Sequence, residues 1–251
     1  MRTQIDRIIG FVACAFIFCS IVSLAAADAP RYEISQPNRD GIGKWYMGRS
    51  ISHVMGHRGA AWLERSSRQQ EERTDLLISN LPLTEQSVVA DVGAGTGYFT
   101  FPVAARVPAG RVYAVDIQNE MLNFISERQV RQSVTNVEGI LGTVNSINLP
   151  ENVLDLAFIV DAYHEFSHPY EMGQSIFNAL KPGGKLVLVE YRGEDPTVPI
   201  KRLHKMTVAQ ARKEMSALGF LWSKNIDVLP QQHLMIFVKP SDTDIVDQDL
   251  S

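Results

Sequence analysis

The chain has 251 residues, of which 45% are hydrophobic and 21% are charged, and its formal net charge is −4. This length and composition favour one α/β domain with an N-terminal extension over a disordered or fibrous chain. The mild acidity argues against non-specific binding to nucleic acid, which needs a basic surface. We therefore expect no nucleic-acid partner.

The first residues combine a short basic start with an almost wholly apolar run over residues 8–24, followed by three alanines. This order predicts a secretory signal peptide over residues 1–27. The length of the apolar run leaves an uncleaved membrane anchor as the alternative, in which case this segment is the chain's one expected membrane contact. Because the arginines precede the apolar run, we expect an exported protein, periplasmic in a bacterium.

Both cysteines, Cys14 and Cys19, lie in this N-terminal segment. A processed chain would therefore contain no disulfide, no cysteine nucleophile and no cysteine metal ligand.

Residues 28–82 are predicted to form a linker and an N-terminal helical extension. Residues 30–43 are polar and interrupted by proline and glycine, whereas residues 45–81 alternate arginine and glutamate in a pattern typical of a solvated helix. Trp45 and Tyr46 could cover a cationic ligand or simply pack. His53 and His57 could share a helix face, but no third ligand is evident, so we predict no metal site.

From residue 83 the pattern alternates between strands and helices. Strands are predicted at 88–92, 111–116, 135–140, 154–160 and 185–191, with helices near 97–106, 119–131, 169–180 and 207–218, and a final antiparallel pair at 220–229 and 233–239. This order predicts a doubly wound, mostly parallel, seven-stranded Rossmann-like sheet over residues 83–240, closed by a terminal antiparallel hairpin. The acidic tail, 241–251, is predicted to be disordered.

The first of these strands runs into the sequence DVGAGTG at residues 91–97. Its glycines permit a tight turn and let the backbone approach a ligand closely. The third glycine, Gly97, does not fit the G-x-G-x-x-G dinucleotide spacing, and no P-loop lysine follows it. The next strand ends in Asp116, whose carboxylate could accept hydrogen bonds from two vicinal hydroxyls. The structural alternative is an ordinary α/β turn beside a surface aspartate.

These two motifs resemble those of the class I S-adenosylmethionine-dependent methyltransferases, and the resemblance covers residues 83–239, including the Lys-Pro-Gly-Gly turn at 181–184. It implies S-adenosylmethionine as the cofactor, with the loop around its methionine part and Asp116 on its ribose. Members often carry an acidic residue where this chain has Thr143. The cofactor contacts implied by the resemblance are Asp91, Gly93, Ala94, Gly95, Gly97, Asp116, Ile117, Thr143 and Asp161.

The strand at 154–160 ends in the densest polar cluster at any predicted strand end, residues 161–165. In the family this loop lies between the cofactor and the acceptor. His164 could remove a proton from the acceptor near neutral pH, with Tyr163 beside it. Alternatively, His164 only caps the strand end and bonds the backbone. Residues 190–192 are expected to line the acceptor pocket, and His204 is a further candidate.

The sequence thus predicts a methyltransferase that acts on an unidentified, small-molecule acceptor. One alternative is an enzyme of the same fold that uses the cofactor without methylating. Another is a non-catalytic binding module, against which the intact glycines and Asp116 argue. Export conflicts with a cofactor made in the cytosol and would require either its supply outside or a tether on the cytosolic side. The oligomeric state is not specified by the sequence.

Overall fold

The computed structural model describes residues 31–241. The predicted signal peptide and all but the first residue of the predicted disordered tail lie outside the described residues. Within the described part of the chain, no helix is both long and apolar enough to cross a bilayer.

The described residues form eleven strands and seven α-helices, with single 3₁₀ turns at His57–Gly59, Tyr163–Glu165 and Arg202–His204. In chain order the elements are β1 (Tyr32–Ile34), β2 (Gly41–Tyr46), β3 (Arg49–Ser52), α1 (Ala60–Leu63), α2 (Arg68–Glu72), α3 (Thr74–Asn80), β4 (Val88–Val92), α4 (Thr100–Arg106), β5 (Arg111–Asp116), α5 (Asn119–Gln132), β6 (Val137–Leu141), β7 (Leu154–Val160), α6 (Pro169–Ala179), β8 (Leu180–Arg192), β9 (Lys205–Met206), α7 (Val208–Ser216), β10 (Leu221–Asn225) and β11 (Gln232–Val238).

The main sheet has the strand order β10-β11-β8-β7-β4-β5-β6, and the two-residue strand β9 pairs with β8 beside this path. Strands β4 to β8 pair in parallel, whereas β11 runs antiparallel to both β8 and β10. The predicted doubly wound sheet with a terminal antiparallel hairpin is confirmed. The strand order reverses between β4 and β7, and ligands of such sheets bind at the carboxyl ends of the strands at this point.

Both faces of the sheet are buried, because successive side chains of a strand point to opposite faces. In β7, Ala157 and Ile159 join a core that includes residues of α6 and α7. Leu156 and Phe158 join a second core with residues of α3, α4 and α5. The continuous apolar runs of the central strands are thus explained by helices on both sides.

The N-terminal region differs from the expectation of a linker and a long helix. Strands β1, β2 and β3 form a separate antiparallel sheet, so the prediction is wrong for residues 32–34, 41–46 and 49–52. Met47 and Gly48 both have positive φ (51° and 89°) and connect β2 to β3, with Tyr46 paired to Arg49. Two such residues make the tight turn that matches the twist of a hairpin. Helical structure begins only after residue 56.

This small sheet is fastened to the α/β domain by a buried ion pair. The Arg49 guanidinium donates to both carboxylate oxygens of Glu214 on α7, at 2.7 and 2.9 Å. Arg49 and Ser52 also donate to the backbone carbonyl of His164. The N-terminal strands therefore support the loop that follows β7.

Candidate active site

The glycine loop after β4 is bonded to the end of β5. The N–H groups of Gly93 and Ala94 donate to the carbonyl of Val115, at 2.8 and 3.0 Å, and the N–H of Gly95 donates to a carboxylate oxygen of Asp116 at 2.9 Å. Gly95 has a φ of +55°, in the left-handed region that favours glycine. The loop and Asp116 therefore form one rigid unit.

The carboxylate of Asp116 can accept further hydrogen bonds. One oxygen accepts from Gly95 and the other from the N–H of Gln118, at 2.9 Å each. Burial raises the pKa of Asp116, while these backbone N–H groups oppose the increase. Since each carboxylate oxygen has two lone pairs, both can still accept from a ligand.

A first cavity opens at this edge of the sheet. Six of the predicted cofactor residues line it, and they come from the ends of four strands: Gly93, Gly95, Asp116, Ile117, Thr143 and Asp161. The structure therefore brings these six together around one space.

Three other predicted cofactor residues, Asp91, Ala94 and Gly97, do not line this cavity. Asp91 is fully buried behind the loop and accepts a hydrogen bond from the Thr100 hydroxyl at 2.6 Å, and burial raises its pKa to about 7. A Cβ on Gly97 would lie 2.9 Å from the ring of Phe101. Asp91 and Gly97 therefore contribute to the packing behind the glycine loop and not to the wall of the cavity.

Asp161 has the least satisfied carboxylate of the site. Its Oδ2 accepts from Gln232 at 2.7 Å, but its Oδ1 is buried and has no hydrogen-bond partner within residues 31–241. Burial and the nearby charges of Glu72 and Glu190 raise its pKa well above the usual range. A buried acceptor without a partner is costly, so a ligand that donates a hydrogen bond or carries positive charge would stabilise it.

A second cavity adjoins the first. The two share five lining residues, Met55, Leu63, Val160, Asp161 and Glu165. The second cavity is further lined by three histidines and a tyrosine, His53, His164, His204 and Tyr191. The two cavities therefore lie next to each other, with these five residues between them.

His164 is held between a carboxylate and a second imidazole. Its Nδ1 lies 2.6 Å from Glu190 Oε2, and its Nε2 lies 2.9 Å from His204 Nδ1. The His164 ring therefore does not bond the backbone. The alternative, in which His164 only caps the strand end and bonds the backbone, does not describe this ring. Burial and the neighbouring His164 lower the pKa of His204 to about 4, so this ring is neutral at pH 7.

Glu165 faces both rings. Its Oε1 lies 3.8 Å from His164 Nε2 and 3.8 Å from His204 Nδ1, while its Oε2 accepts from the N–H of Met55 at 3.0 Å. Burial raises the pKa of Glu165, and the charge of His164 opposes this.

Tyr163 is not brought to either cavity. Its hydroxyl donates to Glu214 at 2.8 Å, and only 1% of the residue is exposed. Of the residues at the end of β8, Tyr191 lines the second cavity and Glu190 supports His164. Arg192 instead bonds Asp227 and the carbonyls of Leu229 and Gln232.

His53 and His57 do not share a helix face. His53 lies in an irregular segment after β3, where its Nε2 contacts the carbonyl of Asn38 at 3.0 Å. His57 lies in the 3₁₀ turn, and its N–H donates to the Gln118 side chain at 2.8 Å.

Sequence reasoning missed the contribution of the N-terminal segment. Met55 and Leu63 line both cavities, and the Gln118 amide donates to the carbonyl of Met55 at 3.0 Å. Gln118 could have been found from its place just after Asp116. Met55 and Leu63 carry no signal of their own, because their role depends on how the segment folds over the sheet.

Comparisons with known proteins agree with this geometry. Residues 89–184 match the family described as "Methyltransferase domain". An uncharacterized methyltransferase-like protein of Schizosaccharomyces pombe is 31% identical over 152 residues, 60% of this chain and 56% of that protein. A ubiquinone/menaquinone biosynthesis C-methyltransferase of Hydrogenovibrio crunogenus is 30% identical over 107 residues, 42% of each chain. The chain thus spans about half the length of these relatives or less.

A crystal structure of an S-adenosylmethionine-dependent methyltransferase from Aquifex aeolicus superimposes with a TM-score of 0.69 at 22% identity, over 74% of this chain and 99% of that one. At this identity the likeness concerns the fold. The matched domain, the shared fold and the glycine loop bonded to Asp116 lead to one assignment. Residues 89–184 form a methyltransferase domain, and the described part of the chain has the fold of S-adenosylmethionine-dependent methyltransferases.

Proposed function

We propose that this protein transfers the methyl group of S-adenosylmethionine to a small molecule bound in the second cavity. The observation that carries this proposal is the pair of adjoining cavities with five shared lining residues. One cavity suits the cofactor, and the other has ionisable side chains that can hold an acceptor.

The first cavity fits the cofactor in its hydrogen bonding and its charge. Asp116 offers two oxygens, each already oriented by a backbone N–H, to the vicinal hydroxyls of a ribose. Asp161 offers a buried oxygen without a partner, which suits a positively charged ligand. A Cβ at Gly93 would lie 2.9 Å from the Cβ of Ala162, so a larger residue there would crowd this wall of the cavity.

When bound, the cofactor supplies an electrophilic methyl group, so that the acceptor's electron pair forms the new bond while the C–S electrons return to sulfur. The protein's contribution is to hold the acceptor in line and to exclude water. Met55 and Leu63 give the shared wall an apolar surface.

An O–H, N–H or S–H acceptor must also lose a proton. The sequence pointed to His164 as the base, but this ring is only 2% exposed and its Nε2 contacts His204. The proton therefore reaches His164 by way of His204, whose side chain is 29% exposed. Glu190 holds the His164 ring from behind and would stabilise its charged form.

The chain's acidity supports a small-molecule acceptor rather than a nucleic acid. Its relatives include both a quinone-biosynthesis methyltransferase and a tRNA carboxymethyltransferase. Export, or anchoring by residues 1–27, is also proposed. It is supported by the basic start, the apolar run and the alanines that follow.

Calorimetric titration of the full chain with S-adenosylmethionine, and with its demethylated product, tests the cofactor site. We expect micromolar binding to the wild type and at least tenfold weaker binding to Asp116→Ala, about 1.4 kcal/mol. Asp75→Ala is the matched control, because Asp75 is paired with Arg73 on the surface. A folded wild type that binds neither compound would refute the proposal.

The acceptor is tested with S-adenosylmethionine labelled in its methyl group. The protein is incubated with a small-molecule extract in one arm and with total RNA in the other. Label in the small-molecule fraction is expected. Label in RNA, with none in the small molecules, would overturn the acceptor class while leaving the cofactor site intact.

A further inference from the structure

Three side chains that line the second cavity converge on one point. His164 Nε2 and His204 Nδ1 are 2.9 Å apart, and Glu165 Oε1 lies 3.8 Å from each of them. We propose that His164, Glu165 and His204 bind a divalent metal ion of the zinc class.

The distances match those of a metal site. In a triangle with sides of 2.9, 3.8 and 3.8 Å, one point lies about 2.1 Å from all three corners. Zinc binds histidine nitrogen and carboxylate oxygen at about 2.0–2.2 Å. An ion can therefore contact all three atoms without movement of the backbone.

A simple hydrogen bond does not explain this arrangement. An N–H···N bond would account for the 2.9 Å contact between the two imidazoles. That bond leaves Glu165 Oε1 without a contact, at equal distance from both nitrogens and beyond hydrogen-bond reach of either. A cation bound between the three atoms would use all of them.

The surroundings are those of a metal-binding histidine. Metal-bound imidazoles usually donate their second ring N–H to a carboxylate or carbonyl, which sets the tautomer and orients the ring. Glu190 Oε2 lies 2.6 Å from His164 Nδ1 and fills this place. The other oxygen of Glu165 is taken by the N–H of Met55, which turns Oε1 towards the two rings.

The charge balance also calls for a cation. Glu165 and Glu190 have mostly buried carboxylates, yet neither of them forms an ion pair with a lysine or arginine in the described part of the chain. Arg68, which lines the same cavity, is paired with Glu72 at 3.0 Å. Buried charges are normally paired or bound to a metal, so a divalent ion would neutralise this excess.

Two histidines and one glutamate form a three-ligand set that leaves a coordination position open, as in catalytic zinc sites. All three residues line the second cavity, so the open position faces the space for the acceptor. Metal coordination lowers the pKa of a bound hydroxyl or thiol. This role rests on the proposed function. With the ion bound, His164 Nε2 and His204 Nδ1 are ligands, so the ion replaces the histidine relay, and an oxygen or sulfur acceptor bound to it would release its proton to solvent. Binding of the ion does not depend on this role.

Metal binding is tested on the full chain after removal of metals with a chelator. Co²⁺ is added first, because its visible absorption reports coordination number, and Zn²⁺ is then titrated in competition. We expect one ion per chain, with bands typical of four- or five-coordinate Co²⁺. His204→Ala should weaken binding by more than about 100-fold, since loss of a ligand should exceed the 10- to 100-fold loss seen for partners of ligands.

Glu165→Gln keeps the shape of the side chain and should weaken binding at least tenfold. His57→Ala is the matched control, because this exposed histidine lies outside both cavities. The metal affinity of this variant should equal that of the wild type. A wild type that binds neither ion at micromolar concentration, or a His204→Ala variant that binds as tightly, would overturn the proposal. Binding of S-adenosylmethionine is measured on the same preparation. A protein that binds the cofactor but no metal ion would refute the metal site and leave the proposed function in place.

Discussion

The two cavities adjoin, but they are built in different ways. The first cavity is organised around one strand–helix–strand unit, in which the glycine loop after β4 and Asp116 at the end of β5 are joined through backbone N–H groups. The cluster in the second cavity combines His164 and Glu165 of one 3₁₀ turn with Glu190 of β8 and His204 of another 3₁₀ turn. Local turn chemistry can specify the first arrangement, whereas the second exists only when distant segments pack together.

The two regions also differ in what holds them. Backbone hydrogen bonds fix the first, whereas buried ionisable side chains fix the second. Changes that remove one buried charge should therefore disturb the second region strongly and leave the first in place.

The largest effect is expected for Arg49→Ala. This change leaves Glu214, a fully buried carboxylate, without its guanidinium partner, and breaking such a pair costs about 3–5 kcal/mol. Urea unfolding should show this loss, whereas Arg73→Ala, which removes an exposed ion pair, should leave the midpoint unchanged. The folded fraction of Arg49→Ala should still bind S-adenosylmethionine within about twofold of the wild type. Loss of cofactor binding at full folding would contradict the separation of the two regions.

A pH-dependent effect is expected on the cofactor side. Burial raises the pKa of Asp91 from 3.8 to about 7, so the folded state holds a proton that the unfolded state releases between these values. The resulting stability is present below pH 4 and is lost as the pH rises through 7. Relative to Asp91→Asn, the wild type should lose up to about 4 kcal/mol over this range, at about 1.4 kcal/mol per pKa unit.

The measurement is the free energy of unfolding of both proteins from pH 4 to pH 8. The difference between the two curves isolates Asp91 from the other titrating groups. Parallel curves would mean that Asp91 is already ionised in the folded protein at pH 4, against the burial argument.

The smallest effect is expected for alanine substitutions of two glycines, which together separate the cost of backbone strain from the loss of a ligand contact. Gly95 and Gly183 both have positive φ, +55° and +75°, so alanine at either costs about 1–2 kcal/mol. At Gly95 the new Cβ would also lie 2.8 Å from a methyl carbon of Leu63, in the wall of the first cavity, whereas at Gly183 it would meet nothing within 4 Å. Both variants should lose similar stability, but only Gly95→Ala should bind S-adenosylmethionine more weakly. Equal cofactor affinity in the two variants would show that the loop tolerates a side chain at residue 95.

Sequence patterns predicted the parallel sheet well, because buried strands have continuous apolar runs and the Gly-rich turn marks the end of β4. The predicted bounds of β4, β5 and β7 coincide with those observed. The N-terminal sheet was missed because arginine and glutamate alternation suggested a helix. The Met47-Gly48 turn between β2 and β3 was the local signal that could have corrected it.

The sequence by itself determined the doubly wound fold, because strand periodicity and glycine turns act over a few residues. Its resemblance to the class I methyltransferases implied nine cofactor contacts, of which six line the first cavity. Only the tertiary structure decided that Tyr163 faces Glu214, that Met55 and Leu63 join the two cavities, and that His204 meets His164. These contacts depend on the packing of elements far apart in the chain. No local sequence pattern indicates these contacts, because each residue would fit its own strand or turn equally well if the elements packed differently.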